Sequence, residues 1–260
     1  MKKNPFDLAG KTALITGGNG GIGLGIAKAI AEAGANVCIW GTNSEKNRAV
    51  LEELKQFGTE VSSQVCDVSD RDAVDCSFDL LLDRFGGVDA CFANAGIAGH
   101  ALSFLRVKHE AWEKILNVNL TGSFNVLQKS VKYMVSRSKK EGIGGRLIVT
   151  SSLSAVEGFA GNEPYAATKG GLVSMVKSLA VEFARYGITA NSIMPGWIET
   201  DIVKKHMNSK RFADAVMPRI PARRWGKPAD IGGLSIYLMS DASSYHTGDN
   251  FIIDGGYSIF

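Results

Sequence analysis

Cysteine is scarce in this chain, and its spacing excludes two architectures at once. Cys38, Cys66, Cys76 and Cys91 are the only four, with no CxxC pair and no metal-ligand spacing, so neither a disulfide framework nor a zinc ribbon organises the fold. Three of them fall in runs that read as strands, where they are expected to be small core residues in a reducing compartment. Histidine is equally sparse: His100, His109, His206 and His246 show no ligand spacing, and no metal is expected. A block of one charge is also missing. The formal net charge is +3. The densest basic patch, Arg137, Lys139 and Lys140, falls where a helix should end and suits the helix dipole better than a nucleic acid. Arg223 and Arg224 flank a loop and are expected to be solvated. The opening MKKNPFDLAG is followed by no apolar stretch, and no apolar run approaches membrane-spanning length, so a cytoplasmic protein with no membrane partner is expected. Linker composition and internal repeats are lacking too. With 45% hydrophobic and 21% charged residues, the chain holds enough apolar material for a sizeable core, and a single domain over 1–260 is expected.

What the sequence does have begins with glycine. Lys11 to Gly34, KTALITGGNGGIGLGIAKAIAEAG, reads as a buried strand, a glycine turn and a helix in succession. Thr12 to Thr16 are apolar or β-branched, Gly17, Gly18, Gly20, Gly21 and Gly23 crowd the turn, and Ile22, Ile26, Ala29, Ile30 and Ala33 recur at helical spacing. Such a turn lets backbone N–H groups approach a pyrophosphate on the helix N-terminus. Further strands are expected at Asn36 to Trp40, Val61 to Cys66, Val88 to Phe92, Arg146 to Thr150, Ile188 to Ile193 and Phe251 to Ile253. Between them, helices are expected at about Glu45 to Phe57, Arg71 to Phe85, Glu110 to Asn117, Leu120 to Val135, a stretch opened by Pro164, and Ile231 to Met239. This alternation predicts an α/β fold, a doubly wound parallel sheet covered on both faces. Trp197 to Trp225 has weak periodicity and is expected to form a mobile lid.

Tyr165 and Lys169 stand four apart at the start of a helix, which puts both side chains on one face. An ammonium near a phenol favours the phenolate and lowers a pKa that is ordinarily about 10. Ser151-Ser152 ends the fifth strand, at the carboxyl edge of the sheet where open α/β folds bind ligands. A hydroxyl, a phenol and a lysine therefore converge.

On these residues the chain resembles the short-chain dehydrogenase/reductase family over essentially its whole length. Thr16-Gly17, Gly21 and Gly23 match its TGxxxGxG cofactor turn, Asp67 its acid near the adenine, and Asn94-Ala95-Gly96 its NAG segment. Asn119, Ser152, Tyr165 and Lys169 match its catalytic tetrad, and Pro195-Gly196 with Ile198 and Thr200 its segment for the nicotinamide carboxamide. The resemblance implies a Rossmann-type three-layer fold and an oxidoreductase that interconverts a carbonyl and a secondary alcohol. It makes Tyr165 the general acid or base, Ser152 the residue that steadies the substrate oxygen, Lys169 the ribose holder and Asn119 the anchor of a relay water. The implied cofactor-binding set also takes in Asn19 and Ile22 in the turn, Gly41, Thr42 and Asn43 after the second strand, and Val68 beside Asp67. No metal is required, and a symmetric homotetramer is implied.

Two positions depart from the family pattern and point in different directions. Gly20 stands where NADP-dependent members often carry Arg or Lys, and Gly41-Thr42 stands where NAD-dependent members carry Asp. Gly41 is expected to leave room for the 2′-phosphate, with Thr42, Asn43, Ser44, Lys46 or Arg48 in reach, so NADP(H) is expected to be preferred and NAD(H) possible. Phe159, Trp197, Met207 and Phe212 are expected to line an apolar substrate pocket, with Glu163 and Glu199 as candidates for a polyol. The rival functions are a nucleotide-binding regulator without catalysis and an epimerase or dehydratase on the same fold.

Overall fold

The structure is a computed structural model that describes residues 4–99, 101, 103–201 and 203–260, and only the backbone at 205 and 206. Its centre is a seven-stranded, all-parallel sheet in the order β3-β2-β1-β4-β5-β6-β7. The strands are β1 (Thr12–Thr16), β2 (Asn36–Gly41), β3 (Val61–Val65), β4 (Ala90–Ala93), β5 (Gly145–Thr150), β6 (Ile188–Pro195) and β7 (Asn250–Ile253). The helices are α1 (Gly21–Glu32), α2 (Ser44–Lys55), α3 (Arg71–Phe85), α4 (His109–Leu116), α5 (Gly122–Glu141), α6 (Glu163–Phe183), α7 (Lys204–Met207), α8 (Lys210–Val216) and α9 (Gly232–Met239).

The sheet divides the apolar residues into two cores because successive strand residues point to opposite faces. Leu14, Cys38, Trp40 and Cys91 face one core, with Phe78 of α3, Val126 of α5 and Leu172 and Val176 of α6. Ala13, Ile15, Val37 and Ile39 face the other, with Ile26 and Ile30 of α1, Val50 and Leu54 of α2 and Leu238 of α9. With both faces covered, the inner strands β1, β4 and β6 are buried along their whole length and lack the alternation of a half-exposed sheet. The order reverses between β1 and β4, and α1 begins in the crevice at that switch point, where ligands of such sheets bind.

Several expectations change in detail. The break expected between Asn117 and Leu120 is a π-helical turn, Asn117–Thr121, that joins α4 to α5 without interruption. β6 runs on to Pro195 because Met194 and Pro195 pair with Ile252 and Ile253 of β7. Cys66 lies one residue past β3. All four thiols are free, with Cys76 exposed, and burial pushes those of Cys38 and Cys91 up to about 12, in keeping with core roles. Lys139 and Lys140 close the last turn of α5. Arg137 instead reaches inward and binds Asp89 at 2.8 Å. Arg224 is not simply solvated: it grips Asp230 through two bonds of 2.6 and 2.9 Å and holds that carboxyl at about 2. Arg223 donates to the Pro218 carbonyl. His100 lies outside the described residues, as does the side chain of His206, and no cluster of metal-ligating side chains occurs among the described residues.

Candidate active site

The phosphate cradle follows from steric necessity. A Cβ at Gly23 would meet the Gly17 carbonyl oxygen at 2.2 Å and Asn94 Nδ2 at 2.6 Å, while Gly17 and Gly21 have φ of 64° and 50°, so only glycine lets the turn close this tightly. Gly20, the N-cap of α1, supplies no side-chain cap. The first turn of the helix is thus left without a side-chain cap, as suits an anion site at a helix N-terminus. Asn94 holds the turn from below, its Nδ2 donating to the Thr16 carbonyl at 3.0 Å. The buried Thr16 hydroxyl accepts from the N–H groups of Asn94 and Ala95, both at 3.0 Å. Ile22 packs its side chain into the α1 core. These residues fit the pyrophosphate of a dinucleotide.

At the end of β2, the expected room above Gly41 is absent. A Cβ there would come within 2.2 Å of Asn19 Nδ2 and 2.7 Å of Asn47 Oδ1, because the Asn19 amide already fills that space. Asn43 caps α2, its side chain accepting from Lys46 N, and Thr42 and Ser44 are exposed beside it. Asp67 accepts from the Ser69 N–H and hydroxyl at 3.0 and 2.7 Å. Val68 is buried against Gly122.

Ser152, Tyr165 and Lys169 come together beyond the end of β5. Tyr165 and Lys169 share one face of α6, and the Lys169 ammonium lies 5.4 Å from the centroid of the Tyr165 ring. The Ser152 hydroxyl lies near enough to the phenol to pull its pKa down, but burial outweighs that and leaves Tyr165 above its ordinary value. The expected depression by Lys169 is therefore not the dominant effect. Burial also lowers Lys169, to about 8. Lys169 Nζ donates to the Thr150 carbonyl at 2.6 Å, which leaves two of its three N–H donors unused. Ser151 donates to the Lys169 carbonyl at 2.9 Å, a structural role, as expected.

Asn119 is held differently from the expectation. Its side chain clasps the main chain of Ile97, Oδ1 accepting from N at 2.8 Å and Nδ2 donating to O at 2.9 Å. The amide thus fixes the segment after β4. Its carbonyl, in the π-helical turn, accepts from Ser123 Oγ at 2.7 Å. Sequence reading missed Thr168, fully buried, which accepts from Asn119 Nδ2 at 3.3 Å and donates to the Tyr165 carbonyl at 2.7 Å. It ties α6 to the π-helical turn, and its place between Tyr165 and Lys169 was the signal available. A Cβ at Gly96 would lie 3.2 Å from Asn119 Oδ1 and 3.7 Å from Lys169 Nζ.

The segment 197–225 carries α7 and α8 and is anchored at both ends. Ile198 bridges Gly226, and the Gly196 N–H donates to the Ile253 carbonyl at 2.9 Å, directly after Pro195. Trp197 lies edge-on to Phe159, Phe212 and Tyr257, with centroids 6.0, 5.0 and 6.2 Å apart. Thr200 packs on the cofactor turn, its Cγ2 lying 3.2 Å from where a Gly21 Cβ would stand. Asp201 pairs with Lys46 at 3.4 Å. Met207 does not join the aromatic wall. It lines a groove of about 1090 Å³ between α1, α9 and the segment, which meets the cofactor turn at Gly21 and includes none of the tetrad. Glu163 turns back on its own loop, Oε1 accepting from the Gly161 N–H at 3.0 Å, and Glu199 is exposed.

Known proteins place this geometry in a family. A family model described as enoyl-(acyl carrier protein) reductase matches residues 17–258. The chain is 36% identical to the 3-oxoacyl-(acyl-carrier-protein) reductase FabG of Chlamydia pneumoniae, covering 96% of this chain and 97% of that protein. A short-chain type dehydrogenase/reductase of Mycobacterium marinum superposes with a TM-score of 0.92 at 36% identity, over 98% of each chain. A gluconate 5-dehydrogenase of Burkholderia cenocepacia, in complex with NADP and tartrate, gives 0.92 at 34% identity, over 98% of this chain and 97% of that one. With its all-parallel sheet, glycine cradle and converging Ser152, Tyr165 and Lys169, the chain belongs to the short-chain dehydrogenase/reductase family of NAD(P)-dependent oxidoreductases.

Proposed function

We propose that this enzyme interconverts a carbonyl and a secondary alcohol with Tyr165 as the proton-transferring group. The observation that carries the reading is the meeting of three groups beyond the end of β5: the Ser152 hydroxyl near enough to the Tyr165 phenol to pull its pKa down, and the buried Lys169 ammonium 5.4 Å from the centroid of the same ring. Two hydroxyls side by side can both bond a single substrate oxygen. In reduction the phenol gives its proton to that oxygen, and in oxidation the phenolate takes one. Ser152 holds the oxygen in line, and Lys169 stabilises the phenolate while its two remaining N–H donors hold the ribose. Asn119 acts through the backbone, by fixing Ile97. When bound, the nicotinamide cofactor supplies or accepts the hydride. Thr16, Gly17, Asn19, Gly21, Ile22 and Gly23 would cradle its phosphates, Asn94, Ala95 and Gly96 back the turn, and Thr42, Asn43, Asp67 and Val68 border the adenosine. Pro195, Gly196, Ile198 and Thr200 border the nicotinamide.

Paired hydroxyls suit a polar C–O bond better than the carbon–carbon double bond of an enoyl substrate, so reduction at carbon–carbon bonds is the second reading. A screen of ketones, enoyl thioesters and secondary alcohols with both cofactors, followed by nicotinamide absorbance, separates the two. Turnover of enoyl substrates alone defeats the first reading. Absence of any turnover, with cofactor binding intact, favours a regulator.

NADP(H) is the proposed preference, with NAD(H) accepted. No acid stands at the end of β2 to repel a 2′-phosphate, and Thr42, Ser44 and Lys46 offer donors beside it. The segment 197–225 is the proposed lid of a single domain spanning 1–260. A homotetramer is the proposed assembly, supported by Val181 on α6, 86% exposed, and by the exposed Phe124, Ile252, Ile259 and Phe260. A cytoplasmic setting agrees with the four free thiols and with the lack of any helix long and apolar enough to cross a membrane among the described residues.

A further inference from the structure

Asn47 is a polar side chain only 2% exposed, one turn into α2, on the same buried face as Val50 and Leu54. Its Nδ2 donates to the carbonyls of Gly41 at 2.9 Å and Gln64 at 3.0 Å, near the ends of β2 and β3. Carbonyl oxygens only accept, so the direction of this amide is dictated: nitrogen toward the strands, Oδ1 away from them. That Oδ1 accepts from Asn19 Nδ2 at 2.7 Å. An oxygen in this position admits only a donor, so the direction of the Asn19 amide is dictated in turn. Its Oδ1 and second N–H are left for a ligand, and the group sits directly above Gly41, within 2.2 Å of where a Cβ would stand.

We propose that Asn47 is a positioning residue for the adenosine end of the dinucleotide, setting which way Asn19 presents its acceptor and donor above Gly41. This inference rests on the cofactor reading of the glycine turn. The chain of bonds runs from two main-chain carbonyls through Asn47 to Asn19 and has one allowed polarity throughout. The group it presents is neutral and offers both an acceptor and a donor, so it serves a ribose hydroxyl and a 2′-phosphate alike. Discrimination between the two then falls to Thr42, Ser44 and Lys46, outside the clamp.

Titration calorimetry on the full chain tests this with ADP-ribose and 2′-phospho-ADP-ribose, which lack the nicotinamide and report the adenosine end alone. Asn47→Ala is expected to weaken both probes about 5- to 20-fold, the scale of one or two lost hydrogen bonds. Asn19→Ala should do the same, and the double variant should be no weaker than Asn19→Ala, because the pair acts as one unit. In turnover the loss should appear in KM for the cofactor and not in kcat. A folded Asn47→Ala with wild-type affinity, or losses that add in the double variant, overturns the proposal and leaves Asn47 a purely structural tie between α2 and the sheet. Should Asn47→Ala fail to fold, Asn19→Asp replaces it. Its carboxylate would set oxygen against Asn47 Oδ1 and should bind ADP-ribose as weakly as Asn19→Ala, and wild-type affinity overturns the proposal. A wild-type protein that binds neither probe, yet melts cooperatively, defeats the cofactor reading and this inference with it.

Discussion

Lys169 Nζ donates to the Thr150 carbonyl at 2.6 Å while lying 5.4 Å from the centroid of the Tyr165 ring. One contact fastens the lysine to the last residue of β5, and the other puts its charge against the phenol. The side chain is 3% exposed, and burial lowers it from 10.5 to about 8. The sheet edge therefore fixes both the position of this cation and the pH range in which it is one.

That displacement makes a statement about stability. Below pH about 8 Lys169 is charged in both states, and the folded protein carries the full cost of burying it. Between about 8 and 10.5 the unfolded chain holds more protons, so folding is favoured increasingly as pH rises, by a total on the order of 3 kcal/mol. The wild type should gain stability relative to Lys169→Met over that window. Urea unfolding of both proteins at pH 7, 8.5 and 10 checks it, and parallel curves with a constant gap count against the assignment.

Tyr165→Phe keeps the ring and removes the proton. It should lower kcat at least ~10²-fold, within the usual range for general acid–base catalysis, with cofactor affinity nearly unchanged. A variant within a few-fold of wild type removes Tyr165 from the reaction.

Gly20 and Gly23 look alike in the glycine turn but differ in space. A Cβ at Gly20, where φ is an extended 179°, meets nothing within 4 Å, so Gly20→Arg should fold normally and raise the ratio of NADP(H) to NAD(H) affinity. A Cβ at Gly23 would strike the Gly17 carbonyl, so Gly23→Ala should lose dinucleotide binding and melt well below wild type. Thermal melting with fluorescence titration of NADPH and NADH measures both, and a Gly23→Ala protein with normal affinity contradicts the cradle as described.

Gly41→Asp is the reversal that the sequence by itself recommends, since it sets a carboxylate against a 2′-phosphate. The structure alters the expected outcome, because the new Cβ would collide with the Asn19 and Asn47 amides. The substitution should therefore weaken NADPH and NADH together instead of exchanging one for the other. A clean switch to NADH in the same titrations would falsify the packing described around Gly41.

Assembly is the last prediction. The exposed apolar residues of α5, α6, β7 and the C-terminal turn should be covered by further copies of the chain, and sedimentation at micromolar concentration should report a tetramer. A monomeric boundary sinks that proposal.

The sequence alone carried the parts of this protein that are local. A parallel strand buried on both faces reads as an unbroken apolar or β-branched run, which makes Thr12 to Thr16 legible. A helix on the sheet must bury one stripe, which makes Arg71 to Phe85 legible to the residue. The glycine turn and the placing of Tyr165 and Lys169 on one helix face were readable because both follow from local spacing.

What the tertiary structure decided depends on partners distant along the chain. β6 ends at Pro195 because β7 lies beside it. The turn at Asn117–Thr121 is π-helical where Asn119 is held by Ile97, and no periodicity announces that. Room at Gly41 was inferred from a missing side chain, yet the space belongs to Asn19, which is aligned by an asparagine 28 positions away. Local pattern determines which face of an element is buried, because one residue type suffices to satisfy it. The direction of a buried amide is determined only when folding brings its donors and acceptors together, because each must find a complementary partner out of water.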